Sequence, residues 1–427
     1  MNERDAEHMR DLMVQDNHMS VTFIPEEADM VILNTCSIRE KAQEKVFSEL
    51  GRWRILKEKK PQLTIAVGGC VASQEGEEII KRAPFVDLVF GPQTIHRLPQ
   101  LYQEHKRSSK PQIDVSFPLH EKFDTIVLPE KKKPTAFLSI MEGCSKFCSY
   151  CVVPYTRGEE ISRSFDSILE EAFRLNENGC KEIVLLGQNV NDYRGLTHDQ
   201  QDVDLAHLIH YIAALDGIQR IRFTTSHPEA FSQTLVDAYA EEPKLANQLH
   251  LPVQSGSNRI LTAMKRGYQI DRFYEIVNQI KGHRPDISIT SDFIVGFPGE
   301  TDEDFEQTLE LVRKVKFDQS FSFIYSKRPG TPASDLPDDT PLSVKKDRLN
   351  QLQTLIKGYA NEYSQAMINQ TYPVLVTGTS KKNNRELTGR TENNRIVNFV
   401  GPIDCIGALI PVHITDIYAN SLRGRIA

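Results

Sequence analysis

The first hundred residues alternate between short apolar runs and a helical pattern. The runs ADMVILNTC and QLTIAVGGC are rich in Val and Ile, and the segment between them, REKAQEKVFSELGRWRILKEK, carries apolar residues at helical spacing. This order of strand, helix and strand predicts a parallel βαβ domain over residues 1–105. Because each run ends in a cysteine, Cys36 and Cys70 are predicted to lie at the same edge of the sheet.

A second, longer block repeats the alternation of strand and helix. Its six predicted strands lie in TAFLSIMEGC, EIVLLGQNV, IQRIRFTTSHP, QLHLPVQSGS, ISITSDFIVGFPGE and FDQSFSFIYS. Six parallel strands with helices between them predict an α/β fold, a partial (β/α)6 barrel over residues 130–366, after a Pro- and Lys-containing linker. In such barrels ligands bind at the C-terminal ends of the strands, so the functional residues are expected there.

The end of the chain loses helical periodicity. The short runs YPVLVTGTS, RIVNFVG and ALIPVHITDIYAN predict a small antiparallel β-barrel over residues 367–427. Residues 371–427 contain seven Lys and Arg against four acids, a net charge of +3, whereas the whole chain has a net charge of −7. This local excess favours binding to nucleic acid, and the alternative is a structural cap with a solvated basic loop.

Composition limits the class of protein. The chain has 427 residues, of which 39% are hydrophobic, no apolar run long enough for a membrane span, and a charged N-terminus, MNERDAEHMRDLM. We therefore expect a globular, cytoplasmic protein without a membrane partner. In a reducing cytoplasm, the seven cysteines are expected to be metal ligands or buried thiols rather than disulfides.

Three of these cysteines lie within one short loop, GCSKFCSYC. Cys144, Cys148 and Cys151 have the spacing C-x3-C-x2-C, and the loop contains no fourth cysteine or histidine. A structural zinc site needs a fourth ligand, whereas a 4Fe-4S cluster held by three thiolates leaves one iron open to a small molecule. The loop therefore favours a catalytic iron-sulfur cluster over zinc.

A cysteine loop directly after the first strand of a parallel barrel resembles the signature of the radical S-adenosylmethionine (SAM) enzymes. The resemblance implies that the open iron binds SAM, whose cleavage gives a 5′-deoxyadenosyl radical that abstracts hydrogen from an unreactive C–H bond. It also implies SAM contacts at the ends of the second, fourth and fifth strands. These are Gly187, Gln188 and Asn189 in LLGQNV, Gln254, Ser255 and Ser257 in LPVQSGS, and Ile294 in DFIVGFPGE. Taken alone, LLGQNV is better explained as a turn that needs glycine, LPVQSGS is a weak signal, and DFIVGFPGE is explained equally well as a turn after a strand. Together, in order and at successive strand ends, the three are hard to assign to chance.

The strings NTCSIREKA and GGCVAS, around Cys36 and Cys70, resemble the N-terminal domain of the methylthiotransferases, a family of radical SAM enzymes. The resemblance implies a second 4Fe-4S cluster, held by three cysteines, whose spare iron carries the sulfur to be transferred. In the family the first of these cysteines lies in a Gly-Cys-Gln string just before a Met-Asn pair like Met1 and Asn2. We therefore expect the start of this sequence to have been placed too late, so that the first strand and the first cysteine are missing. The alternative is a second cluster held by two protein ligands, with impaired function.

A cysteine that binds no cluster is expected to be a buried thiol of the core. A buried apolar thiol is the alternative for Cys36 and Cys70, and it is the expected role of Cys180 and Cys405.

The strings MEGCSKFCSYCVVPYTRGEEISR, LPVQSGSNRILTAMKRGY and YSKRPGTPA most closely resemble methylthiotransferases that act on tRNA. The resemblance covers essentially the whole chain. It implies addition of a methylthio group to C2 of N6-isopentenyladenosine at position 37, with one SAM supplying the methyl group and a second supplying the radical. The terminal barrel resembles a TRAM domain, which is associated with RNA binding.

This resemblance implies a set of partners. They are a tRNA bearing isopentenyladenosine near the anticodon, an electron donor such as a flavodoxin-type reductant, and a sulfur donor, and we expect the chain to act as a monomer. Two other functions stay open, namely methylthiolation of a ribosomal protein side chain and a non-catalytic iron-sulfur or zinc protein that binds RNA.

An RNA substrate predicts basic and aromatic residues near the strand ends. Tyr155 and Tyr193 are candidate stacking platforms, with core packing as the alternative. The candidate phosphate contacts are basic residues near strand ends and in the terminal barrel: Arg157, Arg194, Lys265, Arg266, Lys327, Arg328, Lys381, Lys382 and Arg385.

Overall fold

The structure is a computed structural model that describes residues 1–36, 41–118, 133–381, 383 and 385–427. The chain divides into two compact units. The first comprises residues 1–130, 142–161 and 326–334, and the second comprises residues 131–141, 162–325 and 335–427. The division into three domains at residues 105, 130 and 366 stays a prediction.

The first unit contains a four-stranded parallel sheet in the order β1, β2, β3, β4. The predicted βαβ arrangement is therefore confirmed. The strands are β1 (Met30–Thr35), β2 (Thr64–Gly69), β3 (Leu88–Phe90) and β4 (Gln112–Asp114), and the helices are α1 (Asn2–Asn17), α2 (Lys41–Lys59), α3 (Cys70–Glu75), α4 (Glu77–Arg82), α5 (Leu98–Ser108) and α6 (Val153–Arg157).

Alternate residues of the central strands pack on opposite faces of this sheet. Ile65 and Val67 of β2 join a cluster that contains the apolar side of α2, whereas Ala66 between them joins a cluster with α1 and α5. Both faces are therefore covered, as is usual for a parallel sheet. Helix α1 was not predicted, although its buried residues follow helical spacing: Met9, Leu12 and Met13.

Strand β1 lies at the edge of the sheet. A cavity of about 870 Å³ borders it and is lined by residues of α1, by residues 18–23 and by β1 itself. Among the described residues, this edge of the sheet therefore has no neighbouring strand.

The second unit begins with strands that pair in the order of the sequence. β5, β8 and β11 form a parallel sheet, β12 pairs with β13, and β14 pairs with β15. Single parallel bridges, Ile221 with Leu245 and Gln254 with Phe293, continue the order between these sheets. The predicted partial (β/α) barrel is thus confirmed. Its strands are β5 (Thr135–Ser139), β8 (Glu182–Leu186), β11 (Arg220–Phe223), β12 (Gln248–His250), β13 (Ser288–Thr290), β14 (Asp292–Val295) and β15 (Phe321–Ile324).

The helices between and after these strands cover the outside of the barrel with their apolar faces. They are α7 (Phe165–Glu177), α8 (Leu205–Ala213), α9 (Gln233–Glu241), α10 (Asn258–Ala263), α11 (Ile270–His283), α12 (Asp302–Val315) and α13 (Leu342–Ala366). Four short strands lie in connecting segments: β6 (Met141–Glu142), β7 (Ile161–Ser162), β9 (Arg194–Leu196) and β10 (Asp202–Asp204). In the described parts of the chain, no helix is both long and apolar enough to cross a membrane.

The C-terminal residues form a closed five-stranded barrel, as predicted. Four of its five strand pairs are antiparallel, but β18 and β20 are parallel. The reason is that β19 reverses the chain once and β20 reverses it again, so β20 runs in the direction of β18. The strands are β16 (Thr371–Thr379), β17 (Glu386–Arg390), β18 (Ile396–Val400), β19 (Leu409–Tyr418) and β20 (Ser421–Ile426).

Buried arginines attach this C-terminal barrel to the (β/α) barrel within the second unit. Arg220 and Arg222 of β11 donate hydrogen bonds to backbone carbonyl oxygens of residues 390–392. Both also pair with Glu182, the first residue of β8, at 3.2 and 3.1 Å. The C-terminal barrel therefore packs at the N-terminal ends of the strands, opposite the ends at which the functional residues are predicted.

Candidate functional site

The three loop cysteines lie in a tightly turned segment of the first unit. Cys148 is buried, and Cys144 and Cys151 are half-buried. The N–H of Cys151 donates to the carbonyl oxygen of Cys148 at 3.0 Å, and the N–H of Val153 donates to the sulfur of Cys151 at 3.5 Å. Backbone N–H groups directed at cysteine sulfur are a feature that tunes iron-sulfur clusters.

A glycine closes the base of this loop. Gly143 has a φ of +75°, and a Cβ placed on it would lie 1.8 Å from the carbonyl oxygen of Glu159. Next to it, the N–H of Cys144 donates to the carbonyl oxygen of Gly158 at 3.2 Å. The two ends of the loop therefore meet so closely that only glycine fits before the first cysteine.

The donor set fits an iron-sulfur cluster by its chemistry. Burial raises the pKa of the Cys144 thiol to about 11, with the N–H of Lys146 opposing the shift. A bound metal reverses this effect, because a coordinating thiol is deprotonated. Within the described ranges, no three His, Cys, Asp or Glu side chains converge at a metal-binding distance. The spacing, burial and N–H donors are thus the observations that support a cluster here.

Cys36 and Cys70 follow paired positions on two neighbouring strands. Thr35 of β1 is in register with Gly69 of β2, and each cysteine is the next residue along the chain. The Thr35 hydroxyl donates to the carbonyl oxygen of Gly68 at 2.7 Å and accepts from the N–H of Val71 at 3.1 Å, which ties the two strand ends together. Both thiols thus belong to the same edge of the sheet, and their role as ligands stays a prediction.

Arg157 lies at the end of α6, after the cysteine loop, and is buried. Its guanidinium donates to Asp5 at 2.6 Å and lies 3.8 Å from Glu142, while its carbonyl oxygen accepts from the side chain of Gln93. A guanidinium paired in this way is not presented to solvent. Its burial argues against the predicted contact between Arg157 and RNA phosphate.

The end of strand β8 approaches the segment that leads into the cysteine loop. Within the second unit, a Cβ on Gly187 would lie 2.4 Å from the side chain of buried Met141, which would have to shift to accept any larger residue. Gln188 is half-buried, and buried Asn189 donates to Asp192 at 3.1 Å. The predicted SAM contacts at Gly187, Gln188 and Asn189 are therefore placed at the C-terminal end of β8, where barrel ligands bind.

The end of strand β12 is held in an unusual backbone conformation. Gln254 has a φ of +74°, which is rare for a residue with a side chain, and its backbone bonds to Asp292 and Ile294 on both sides. Such conformations cluster at functional sites. Ile294 alternates with the core residues on either side of it, so it faces away from them and is half-buried. Both positions are compatible with the predicted SAM contacts.

The serines beside Gln254 already have partners in the protein. The Ser255 hydroxyl lies 3.4 Å from that of Thr308, and the Ser257 hydroxyl donates to Asp304 at 2.6 Å. Asp304 also accepts from the N–H and the hydroxyl of Thr301. Sequence reasoning missed Asp304, although TDED before an apolar run is a capping-box signal.

The remaining basic candidates differ in exposure. The exposed candidates are Arg194, Lys265, Lys327, Lys381 and Arg385, and Arg328 is half-buried. Arg266 is buried and donates to the carbonyl oxygen of Pro252 at 2.6 Å. Burial therefore argues against a phosphate contact at Arg266. Lys382 lies outside the described residues.

The two candidate stacking tyrosines also differ. Tyr193 is fully buried and donates to the carbonyl oxygen of Arg163 at 3.0 Å, so it packs in the core. Tyr155 is 50% exposed.

The end of strand β11 was not predicted to contain site residues. Thr225 there has a φ of +68°, and Asn191 and His227 exchange hydrogen bonds between side chain and backbone, both at 2.8 Å. These bonds join the loops after β8 and β11. The polar run TTSHP at the end of β11 was the sequence signal that could have predicted functional residues there.

Comparison with protein families assigns most of the chain. Residues 138–312 match the Radical SAM superfamily, residues 1–91 match the uncharacterized protein family UPF0004, and residues 365–427 match the TRAM domain. The chain is also 60% identical over 426 residues to the tRNA-2-methylthio-N(6)-dimethylallyladenosine synthase of Legionella pneumophila, covering 100% of this chain and 95% of the relative. The chain belongs to this synthase family.

Two further members of the synthase family are equally similar. The chain is 59% identical to the synthase of Coxiella burnetii (strain RSA 331), with 100% of this chain and 97% of the relative covered. It is also 59% identical to the synthase of Francisella philomiragia, with 100% and 96% covered. The similarity to the family thus extends over all parts of the chain.

Solved structures show a shared fold. A radical S-adenosylmethionine methyltransferase, TsrM, from Kitasatospora setae matches with a TM-score of 0.52 at 14% identity, covering 76% of this chain and 68% of that one. The cobalamin-dependent radical enzyme OxsB matches with a TM-score of 0.52 at 12% identity, covering 83% and 53%. At these identities the likeness concerns the fold alone.

Proposed function

We propose that this chain is a tRNA methylthiotransferase that adds a methylthio group to C2 of N6-isopentenyladenosine at position 37. The observation that carries the proposal is the 60% identity to a tRNA-2-methylthio-N(6)-dimethylallyladenosine synthase over the whole chain. The synthase relatives are named for a modified tRNA nucleoside, and the TRAM match supplies a module associated with RNA binding.

Cys144, Cys148 and Cys151 are the proposed ligands of the catalytic 4Fe-4S cluster. When bound, such a cluster with an open iron supplies the electron that cleaves SAM. The chain's own contribution is to hold three thiols on a closed loop, with Gly143 at its base, and to leave the fourth ligand position to a small molecule. Burial of Cys148 keeps water away from this part of the loop.

Residues at three strand ends are the proposed contacts of SAM. The positive φ of Gln254 and the close packing at Gly187 mark two strand ends whose backbone conformation is tightly constrained, as is common at functional sites. Ile294 offers a half-buried apolar surface for adenine. The proposed set is Gly187, Gln188, Asn189, Gln254, Ser255 and Ile294.

Cys36 and Cys70 are proposed as ligands of a second cluster, which would carry the sulfur for transfer. The register of β1 with β2 supports this assignment, because it brings both thiols to one sheet edge. The proposal also includes two partners, a flavodoxin-type electron donor and a sulfur donor. The protein is proposed to act as a monomer in the cytoplasm.

The RNA substrate requires an unstacked adenosine, because C2 of a stacked base is out of reach of a barrel mouth. Bases of an anticodon loop leave the stack at low cost. The proposed phosphate contacts that remain are exposed Arg194, Lys265, Lys327, Lys381 and Arg385 and half-buried Arg328.

The proposal is tested by mass spectrometry of tRNA nucleosides from a strain lacking this gene. We expect isopentenyladenosine without the methylthio group, and restoration of the methylthio group by a plasmid copy of the wild type but not by Cys148→Ala. If the nucleosides are unchanged by the deletion and a ribosomal protein loses the mass of a methylthio group, the alternative substrate is correct. If purified, iron-loaded protein binds tRNA but forms no 5′-deoxyadenosine, the non-catalytic alternative is correct.

A further inference from the structure

Two aromatic side chains stand exposed on the cysteine loop and the helix after it. Phe147 is 45% exposed and Tyr155 is 50% exposed. Their ring centroids lie 6.2 Å apart with an interplanar angle of 77°, an edge-to-face pair. Such pairs hold both rings in a defined orientation, and the exposed ring surface remains available to a third aromatic group.

The local backbone places both aromatic rings at the surface. Phe147 has a φ of +48°, an uncommon and strained conformation for a bulky residue. Tyr155 lies on α6 directly before buried Thr156, whose hydroxyl donates to the carbonyl oxygen of Val152 at 3.2 Å. Such conformations cluster at functional sites, and this one accompanies an exposed aromatic ring between Cys144 and Cys148.

Basic residues outnumber acidic ones in the cysteine loop and in the segment hydrogen-bonded to it, which favours a polyanion as partner. Lys146 precedes Phe147, and exposed Lys327 belongs to a segment whose Ala333 N–H donates to the carbonyl oxygen of Ser149 in the cysteine loop, at 2.8 Å. Arg328 adds a further positive charge to that segment, while Glu159 and Glu160 are the acids that follow α6. Aromatic rings interleaved with basic residues are typical of surfaces that bind single-stranded nucleic acid.

We propose that Phe147 and Tyr155 form a stacking platform for a nucleobase next to the modified adenosine. This inference rests on the proposed function. The modified base must reach the radical formed at residues 144–151, so a ring located within that loop meets a neighbouring base on the same strand. Stacking on an aromatic ring tolerates any base, which suits a position that supports the flipped nucleoside without reading sequence.

The test uses iron-loaded full-length protein and two anticodon stem-loop RNAs that carry isopentenyladenosine. One RNA has 2-aminopurine on the 5′ side of the modified base, and the other has it on the 3′ side. Stacking quenches 2-aminopurine fluorescence. We expect quenching on binding to wild type, loss of the quenching with Tyr155→Ala and Phe147→Leu, and binding weakened about 5- to 150-fold. Leu keeps an apolar side chain at position 147 but has no aromatic face, and Tyr155→Phe, which keeps the ring, should quench like wild type.

Matched controls and iron content make the outcome decisive. Phe173 and Tyr211 are 52% and 53% exposed on α7 and α8 of the second unit, and their Ala variants should bind and quench like wild type. Iron and sulfide per chain show whether each variant carries its cluster. Wild-type quenching in an iron-loaded Tyr155→Ala variant overturns the stacking platform alone. Failure of the wild type to bind the RNA overturns the proposed function as well.

Discussion

The guanidinium of Arg395 forms two hydrogen bonds with the carboxylate of Asp318, at 2.7 and 2.8 Å, and both side chains are almost completely buried. Arg395 precedes β18 of the C-terminal barrel, and Asp318 precedes β15 of the (β/α) barrel. The Ser288 hydroxyl donates to Asp318 at 2.7 Å. Arg395 donates to the Ser364 hydroxyl at 3.1 Å. This satisfied ion pair fixes where the C-terminal barrel is attached.

Replacing Arg395 by Ala should strongly destabilise the second unit. The change leaves a buried carboxylate without its partner, which typically costs about 3–5 kcal/mol. Urea unfolding followed by circular dichroism should show an earlier transition, and limited proteolysis should release the C-terminal barrel.

An exposed ion pair provides the control for Arg395. Arg313 pairs with Glu306 at 2.6 Å on the surface of α12, so Arg313→Ala should change the unfolding transition little. The double variant Arg395→Met with Asp318→Leu should recover part of the lost stability, because no unpaired charge remains. Equal effects of Arg395→Ala and Arg313→Ala would contradict the assigned role.

Because of Asp304, the free energy of unfolding should decrease as the pH falls into the acid range. Although burial favours the neutral acid, hydrogen bonds from Arg259, Ser257 and Thr301 lower the pKa of Asp304 to about 2. Because this pKa is below the value of the unfolded chain, the carboxylate stabilises the fold above about pH 4, and this contribution is lost as pH falls toward 2. Asp304→Asn should therefore cost about 1–3 kcal/mol at neutral pH and progressively less at acid pH.

Denaturant midpoints measured from pH 7 down to pH 2.5 test this expectation. The difference between wild type and Asp304→Asn should narrow with acidification. Asp199→Asn is the control, because Asp199 is exposed at the surface, where it pairs with His198. A difference between wild type and Asp304→Asn that does not change with pH would show that Asp304 acts only by packing.

Cysteine replacements should separate the two proposed clusters. Cys148→Ala should remove the iron of the catalytic cluster and abolish 5′-deoxyadenosine formation. Cys70→Ala should abolish methylthiolation while SAM is still cleaved, because the loop of residues 144–151 is untouched. Iron analysis, 5′-deoxyadenosine and modified nucleoside are measured on the same anaerobic preparations.

Cys180 is the control for cysteine loss. It is buried, with its sulfur 3.1 Å from the carbonyl oxygen of Glu182, so Cys180→Ala should keep its iron content and lose only stability. Loss of SAM cleavage together with methylthiolation in Cys70→Ala would contradict the division of labour between the two sites.

The fold was largely accessible from the sequence because its signals are local. Alternation of apolar runs with helical patterns located β1, β2 and the strands of the (β/α) barrel, and the spacing of Cys144, Cys148 and Cys151 located the cysteine loop. By contrast, α1 was missed because its few apolar positions lie in a strongly charged segment. Only the packed core shows that Met9 and Leu12 cover one face of the sheet.

Side-chain environment was the part that sequence could not supply. Arg157 and Arg266 are of the residue type that binds phosphate, yet both are buried. Their burial depends on residues elsewhere in the chain, such as Asp5, which pairs with Arg157. Tyr193 likewise packs inside while Tyr155 stands outside. Residue type and position near a strand end are therefore insufficient to identify RNA contacts.

Lys381 and Arg385 should contribute to RNA binding through phosphate. Both are exposed in the turn between β16 and β17 of the C-terminal barrel, in a segment with excess positive charge. Each neutralised phosphate releases a counterion, so Lys381→Ala and Arg385→Ala should each weaken tRNA binding and reduce the slope of log K against log salt by about 1. Binding is measured at several salt concentrations.

Arg174→Ala is the control, because Arg174 is a half-exposed arginine of α7 paired with Glu170, and its slope should equal that of wild type. Unchanged slopes for both barrel variants would instead favour the solvated structural loop, because an arginine or lysine that meets no phosphate releases no counterion.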